Sequence, residues 1–191
     1  MKQLDFMSQL DMPYWQQSSK AKRSRSPKHS DLWQTPLFIV KLVKDCFGGA
    51  IDLDPATTIA NPTGAEQFFT PDDDGLQQVW RRRVFLNPPY SNPFPWVDKL
   101  AFSYKEKGVE EAIALLPSRC LHNKGTGGII AQSASAFCSW RGRIAFIRDG
   151  RPHPGTDFDS ALVYWGVRSQ KFCEVFEGHG LVSLVYNSEE I

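Results

Sequence analysis

The chain has 191 residues, which suits one domain of ordinary size, and its 41% hydrophobic and 23% charged residues are typical of a globular protein. No apolar run approaches the ~18 residues that cross a bilayer, and the N-terminus has no apolar signal segment, so we expect a cytoplasmic protein without a membrane partner. The formal net charge of +1 does not by itself indicate a nucleic-acid binder. No protein partner is implied.

Positive charge is nevertheless concentrated in three stretches of the chain. Residues 1–30 are polar, serine-rich and basic, and they predict a flexible basic arm that precedes a folded domain over residues 31–191. Arg81–Arg83 form a second cluster, and a third lies between Arg141 and Arg151. Such clusters can neutralise phosphate groups.

The cysteines predict no metal site. Cys46, Cys120, Cys138 and Cys173 include no Cys-x-x-Cys pair and have no zinc-like spacing, so reduced and mostly buried thiols are expected. The acidic run Asp72–Asp74 lacks the later glutamate of a calcium loop, which favours a turn or a ligand contact.

The first predicted elements are a helix and a short strand. Thr35-Pro36 is typical of a helix start, apolar residues recur at helical spacing as far as Phe47, and glycines end the helix. Residues 50–53 then predict a buried strand, which Asp54-Pro55 terminates.

The remaining elements alternate before ending in a series of strands. A loop is expected over 61–75, a strand over 84–86, a helix over 93–107 and a strand over 111–116. Residues 118–139 suggest a loop followed by a helix. Four β-like runs come last, at 143–147, 161–167, 172–176 and 181–186.

This order predicts an α/β fold with a mostly parallel sheet, helices on both faces and antiparallel strands at one edge. Ligands bind such sheets beyond the carboxyl ends of the strands. Asp54-Pro55 and Asn87-Pro88 each follow a predicted strand, so both should open onto one crevice.

Asn87-Pro88-Pro89-Tyr90 is the most specific motif in the chain. The amine of adenine is a poor nucleophile because its lone pair is delocalised, and two acceptors can hold its protons while the nitrogen becomes tetrahedral. The Asn87 oxygen and the Pro88 carbonyl are suitable acceptors, and the prolines stiffen the loop. Tyr90 offers a face on which an extruded base can stack. The motif therefore predicts a catalytic loop for transfer to such an amine.

Other motifs fit a cofactor that carries an amino acid group. A carboxylate of Asp52 or Asp54 at a strand end can accept from an ammonium group or a ribose. The Thr35 hydroxyl and the free amides after Pro36 suit a carboxylate. Because no Gly-x-Gly follows the first strand, a nucleotide-phosphate site is not predicted.

The motifs in their order resemble the phage-type DNA N-6-adenine methyltransferase (Dam) family. The resemblance covers residues 31–178, and it also rests on Asp73–Leu76, Leu116–Arg119, Arg141–Phe146 and Ser160–Gly166. It implies a Rossmann-like methyltransferase fold, S-adenosylmethionine as cofactor, and a phage or prophage origin with action in the host cytoplasm. One departure is that Asp54-Pro55-Ala56-Thr57 stands where adenine methyltransferases usually have a glycine-rich turn.

This resemblance implies that the chain methylates N6 of a flipped adenine in DNA, and double-stranded DNA is the expected substrate. The implied catalytic residues are Asn87, Pro88, Pro89 and Tyr90. The implied cofactor residues are Trp33, Thr35, Pro36, Asp52, Asp54, Pro55 and Asp74. The candidates for DNA contact are Lys22, Arg23, Arg25, Arg119, Arg141 and Arg143.

Two alternatives remain open from the residues alone. The same loop could orient another planar amine or amide, such as an RNA adenine, the N4 of a DNA cytosine or a protein glutamine. A non-catalytic DNA-binding protein of the same fold would keep the architecture without turnover. No separate target-recognition domain is evident, and residues 118–156 are the stretch available for that role.

Overall fold

A computed structural model describes residues 13–18, 33–153 and 158–186. Within these residues the helices are α1 (Tyr14–Ser18), α2 (Leu37–Phe47), α3 (Phe94–Lys105), α4 (Thr126–Ser133) and α5 (Ser169–Phe176), with a 3-10 turn at Ser118–Leu121. The strands are β1 (Leu53–Asp54), β2 (Gln67–Phe68), β3 (Arg82–Leu86), β4 (Val109–Pro117), β5 (Ala136–Trp140), β6 (Phe146–Arg148), β7 (Arg151–His153), β8 (Ser160–Trp165) and β9 (Gly180–Leu184).

Seven strands form one mixed sheet in the order β2-β1-β3-β4-β8-β5-β9. The first four strands in this order pair in parallel, whereas β8, β5 and β9 are joined by antiparallel pairs. Strands β1 to β5 all run in one direction, and β8 and β9 run in the other. The expectation of a mostly parallel α/β sheet with antiparallel strands on one side is confirmed at this level.

Helices cover both faces of the sheet because neighbouring residues of each strand face opposite sides. Phe85 of β3 lies in one core with Val43 of α2 and Phe172 of α5. Leu86, the next residue along β3, lies in a second core with Leu100 of α3. All of these side chains are fully buried. The two cores hold the carboxyl ends of β1 and β3 side by side.

The predicted strand at 172–176 is wrong, because these residues belong to helix α5. Phe172 and Phe176 are both buried and lie one helical turn apart, and this spacing also fits the alternation of a strand. Residues 118–139, predicted as a loop followed by a helix, contain the 3-10 turn and helix α4. They also contain most of strand β5, which the sequence analysis did not identify.

Part of the predicted basic arm contacts the folded domain. Helix α1 packs on α3, where the Trp15 backbone N–H donates to the Asp98 carboxylate at 3.3 Å and the Tyr14 ring meets Phe94 at 4.9 Å. The ammonium group of the buried Lys99 lies 3.9 Å from the centre of the Trp15 ring. The remaining residues of the arm, including Lys22, Arg23 and Arg25, lie outside the described residues.

All four cysteines are free thiols, and Cys46, Cys120 and Cys138 are buried, as expected. Burial raises the pKa of Cys46 to about 12 and that of Cys138 to about 11, which keeps both thiols protonated. No helix in the described ranges has the length and apolar character needed to cross a membrane.

Candidate active site

A cavity lies at the carboxyl ends of β1 and β3, where the sequence predicted a crevice. Asp54-Pro55 leaves β1 on one side, and Asn87-Pro88-Pro89-Tyr90 leaves β3 on the other. Parallel neighbouring strands bring these loops together because their carboxyl ends share one edge of the sheet. The lining residues are Trp33, Gln34, Thr35, Asp54–Thr58, Pro62, Thr63, Thr70, Pro71, Asp74, Gly75, Asn87–Tyr90, Trp96, Phe146 and Phe158.

The side-chain amide of Asn87 is held in one orientation. Its Nδ2 donates to the Thr35 hydroxyl at 3.1 Å and to the Trp33 carbonyl oxygen at 3.4 Å. A backbone carbonyl only accepts hydrogen bonds, so the atom facing Trp33 must be the NH₂ group. The Asn87 Oδ1 atom accepts no hydrogen bond from the residues that the structure describes. An acceptor is therefore available at the lining of the cavity.

Thr35 has a different role from the predicted helix cap. The first residue flanking α2 is Pro36, which makes no side-chain cap, and the Thr35 hydroxyl contacts Asn87 instead. Thr35 is buried although it is polar. This contact joins the start of α2 to the loop after β3, so the Trp-x-Thr-Pro and Asn-Pro-Pro-Tyr motifs form one structural unit.

An aromatic group surrounds the end of this loop. The buried Tyr90 ring makes edge contacts with Phe146, at 5.7 Å between centroids, and with Phe158, at 5.0 Å. The Trp33 ring meets Phe146 at 5.8 Å. The Tyr90 hydroxyl approaches the Leu115 carbonyl at 3.5 Å, and burial raises its pKa so that the phenol stays protonated. These rings give one side of the cavity an apolar, aromatic surface.

The opposite side of the cavity contains a buried carboxylate. Asp54 is 2% exposed, and its oxygens accept from the Thr63 hydroxyl at 2.8 Å and from the Ala56 N–H at 3.2 Å. Burial raises the pKa of Asp54 to about 6 because these neutral donors only partly offset the lost hydration. No cationic side chain among the described residues pairs with it. A ligand with a positive charge would relieve this cost.

The Asp73-Asp74-Gly75 turn forms the wall next to Asp54-Pro55. Asp73 accepts hydrogen bonds from the backbone N–H and the hydroxyl of Thr70, at 2.8 and 2.7 Å. Gly75 packs so closely on Pro55 that a Cβ there would lie 2.0 Å from the Pro55 carbonyl oxygen. Asp74 adopts a left-handed backbone conformation with φ of 49° and lines the cavity. The glycine is thus required for this close approach.

Two of the predicted cofactor residues do not line the cavity. Pro36 precedes α2 without reaching the lining, and Asp52 faces the arginines at the start of β3. The Arg83 guanidinium holds Asp52 with two bonds, Nε to Oδ2 at 2.6 Å and Nη2 to Oδ1 at 3.0 Å. These bonds hold the pKa of Asp52 below its usual range. The observed role of Asp52 is to join β1 to β3.

Among the described residues, the predicted DNA contacts Arg119, Arg141 and Arg143 lie outside the cavity lining. Arg119 is exposed, and its Nη2 donates to the Tyr90 carbonyl oxygen at 2.7 Å, which ties it to the Asn87–Tyr90 loop after β3. Arg141 and Arg143 are exposed in the segment before β6. Neither arginine lines the cavity, so any contact that they make with DNA would lie on the protein surface outside it.

Several lining residues were not predicted as site residues. Phe146 belonged to a quoted motif without a role, and Phe158 and Thr63 gave no local signal. Trp96 lies in the helix predicted over 93–107 and was given no site role, yet it lines the cavity and stacks with Trp80 at 6.1 Å. Their contribution depends on long-range packing, which sequence spacing does not reveal.

Comparison with known proteins agrees with this arrangement. The family model for DNA N-6-adenine-methyltransferase (Dam) matches residues 22–163. A DNA N-6-adenine-methyltransferase of Haemophilus phage HP1 is 36% identical over 80 residues, which are 41% of this chain and 44% of that protein. One of Escherichia phage T1 is 35% identical over 71 residues, which are 36% of this chain and 29% of that protein. The matched stretch thus spans less than half the length of either relative. Because the family model matches residues 22–163 of the 191 residues, the chain belongs to the DNA N-6-adenine-methyltransferase (Dam) family.

Proposed function

We propose that this protein transfers a methyl group from S-adenosylmethionine to the N6 amine of an adenine in double-stranded DNA. The observation that carries the proposal is the orientation of Asn87, whose amide NH₂ is held by Trp33 and Thr35 while its oxygen is left to accept. Family membership and the names of the phage relatives support the same reaction. Phage relatives also favour action in the cytoplasm of an infected host.

The residues of the cavity fit the proposed cofactor. Asp54 is a buried carboxylate without a cationic partner among the described residues, and it would hold the ammonium group of the methionine part. Pro55, Asp74 and Trp96 would surround the adenine part, since they give a mainly apolar wall with one carboxylate. When bound, S-adenosylmethionine supplies a methyl group that is already activated by the positive charge on sulfur. A cofactor site lined by these residues supports our assignment of the fold to the Rossmann-like methyltransferases.

The catalytic loop would prepare the amine for attack. The Asn87 Oδ1 atom and the Pro88 carbonyl oxygen would accept hydrogen bonds from the two N6–H groups, which favours a tetrahedral nitrogen whose lone pair is free to attack. The Tyr90 ring and its aromatic neighbours Phe146 and Phe158 receive the extruded base. The loop is preorganised, because Asn87 is held from two sides before any substrate binds.

The test is turnover by Asn87→Ala, measured as labelled methyl transferred to unmethylated plasmid. We expect a loss of roughly 10²–10³ in turnover, because one preplaced polar contact to the reacting group is removed. S-adenosylmethionine affinity, measured by calorimetry, should stay within about twofold, since Asp54 is untouched. Unchanged turnover in a folded Asn87→Ala protein would refute the role of the loop.

Thr35→Val is a matched variant for the same argument. It keeps the shape of the side chain but removes the hydroxyl that accepts from Asn87 Nδ2. We expect a smaller loss of turnover, about tenfold, because the Trp33 carbonyl still holds the amide. The predicted contribution of Lys22, Arg23 and Arg25 to DNA affinity stays a prediction.

A further inference from the structure

In the two-stranded hairpin formed by β6 and β7, only Phe146 at the start of β6 is buried in the core, and the rest of the hairpin projects from it. It stands apart from the seven-stranded sheet, and all three residues of β7, Arg151–His153, are exposed. A strand with exposed side chains on both faces contributes little apolar burial. Its turn, Asp149-Gly150, has positive φ at both residues, 49° and 72°, which is the type I′ geometry of a tight hairpin.

The base of the hairpin is fixed to the rim of the cavity. Gln34 and Ile147 exchange two backbone hydrogen bonds, at 2.8 and 2.9 Å, and Gln34 lines the cavity. Phe146, the first residue of β6, contacts the Tyr90 ring. His153, the last residue of β7, packs its ring on Trp33 at 5.1 Å. The hairpin therefore begins beside the catalytic loop, and its turn lies in solvent.

The charge of the hairpin favours an anionic partner. Arg148 and Arg151 are directly opposite each other in the strand register. Like charges at such positions repel each other, and an anion such as a phosphate beside them relieves this repulsion. Arg148 is partly offset by Asp149, at 3.6 Å, whereas exposed Arg151 forms no salt bridge within the described ranges. Arg141 and Arg143 add exposed charge just before β6.

The dimensions of the hairpin suit a groove of duplex DNA. Three residues in each strand place the turn roughly 10 Å from the base, at about 3.3 Å per residue. The major groove of B-DNA is about 8.5 Å deep and about 12 Å wide, and it admits a two-stranded β-ribbon. The N6 amine of adenine lies at the edge of that groove.

We propose that hairpin β6–β7 is the element that engages duplex DNA beside the extruded adenine, with Arg151 contacting a backbone phosphate. The inference rests on the proposed function and assigns the DNA-engaging surface of the same site. One ribbon anchored beside Gln34 and Phe146 would hold the bound duplex next to the cavity.

The first test compares Arg151→Ala with Arg81→Ala. Arg81 is an exposed arginine that precedes β3, at the end of that strand opposite the cavity, so it is a matched control for loss of charge. Binding of a short unmethylated duplex is followed by fluorescence anisotropy between about 50 and 200 mM salt, with S-adenosylhomocysteine present. For Arg151→Ala we expect about tenfold weaker binding and a salt slope smaller by about 0.9. Arg81→Ala should keep the wild-type slope.

Two further variants separate a phosphate contact from a structural effect. Arg151→Lys should restore most of the slope, because a phosphate accepts a point charge as well as a guanidinium. Asp149→Asn removes the acidic residue of the turn but keeps an Asn-Gly sequence suited to type I′ geometry, and it should bind DNA more tightly. Equal salt slopes for Arg151→Ala and Arg81→Ala would overturn the proposal, as would an Arg151→Lys protein that behaves like the alanine variant. If wild-type protein transferred no methyl group to DNA, the proposed function itself would fail.

Discussion

Replacing Asp54 with asparagine should stabilise the cofactor-free protein at neutral pH while weakening its affinity for S-adenosylmethionine. The buried carboxylate is held only by neutral groups, including the Thr63 hydroxyl and the Ala56 N–H, and burial raises its pKa to about 6. Asparagine has the same shape and no charge. Its oxygen can accept from Ala56 and its NH₂ can donate to the Thr63 hydroxyl, which then donates to Asn61 Oδ1, 3.1 Å away.

The sign and size of the stability effect follow from proton linkage. The folded-state pKa of Asp54 lies above the unfolded value of 3.8, so the folded protein binds this proton more tightly. The resulting stabilisation is present below pH 3.8 and is lost as the pH rises through about 6. Asp54→Asn should therefore match wild type near pH 4 and exceed it by on the order of 3 kcal/mol above pH 6.5.

The assay is urea unfolding of both proteins between pH 4 and 7.5 without cofactor. The difference between the two proteins isolates Asp54 because all other titrating groups are shared, including Asp74 in the same cavity. Calorimetry at pH 7.5 should show S-adenosylmethionine binding weakened by about 2 kcal/mol, roughly thirtyfold, since the ammonium group loses its buried partner. A pH-independent difference in stability would refute the reasoning about the buried charge, and unchanged cofactor affinity would refute its role in binding.

Two other predictions concern Asp52, which pairs with Arg83, and Phe158, which packs on Tyr90. Asp52→Ala should destabilise the fold by about 2 kcal/mol in urea unfolding, because Arg83 is left half-buried without its partner, while cofactor affinity should stay within about twofold. A large loss of cofactor affinity would instead support the predicted contact between Asp52 and the cofactor. Phe158→Ala should lower kcat/KM for DNA about tenfold by removing the ring beside Tyr90, and unchanged kinetics would exclude it from the base pocket.

The sequence was sufficient to predict the two loops of the candidate active site. Asp54-Pro55 and Asn87-Pro88 each end a short buried strand, and the carboxyl ends of parallel neighbours must meet. The position of a proline after each strand made both ends recognisable. This local signal, together with the order of the motifs, was enough to predict the α/β fold and the location of the cavity.

The features of the site and of the fold that were not predicted depend on long-range contacts, which sequence spacing does not encode. Phe158 reaches Tyr90 from a segment 68 residues further along the chain, and no local pattern marks it as part of the site. Asp52 and Asp54 are two residues apart and equally acidic, yet only the structure separates the arginine-paired carboxylate from the cavity carboxylate. The segment 172–176 fits both strand and helix periods, and its packing beneath the sheet selects the helix.

The decisive measurement is the identity of the methylated nucleoside. Purified protein is incubated with unmethylated plasmid and methyl-labelled S-adenosylmethionine, and the DNA is digested to nucleosides. We predict label in N6-methyladenine with wild-type protein and its near-complete loss with Asn87→Ala, because the proposed mechanism requires the Asn87 oxygen to accept a hydrogen bond from the N6 amine. Label in N4-methylcytosine would contradict the choice of base, and absence of label in DNA would contradict the proposed reaction.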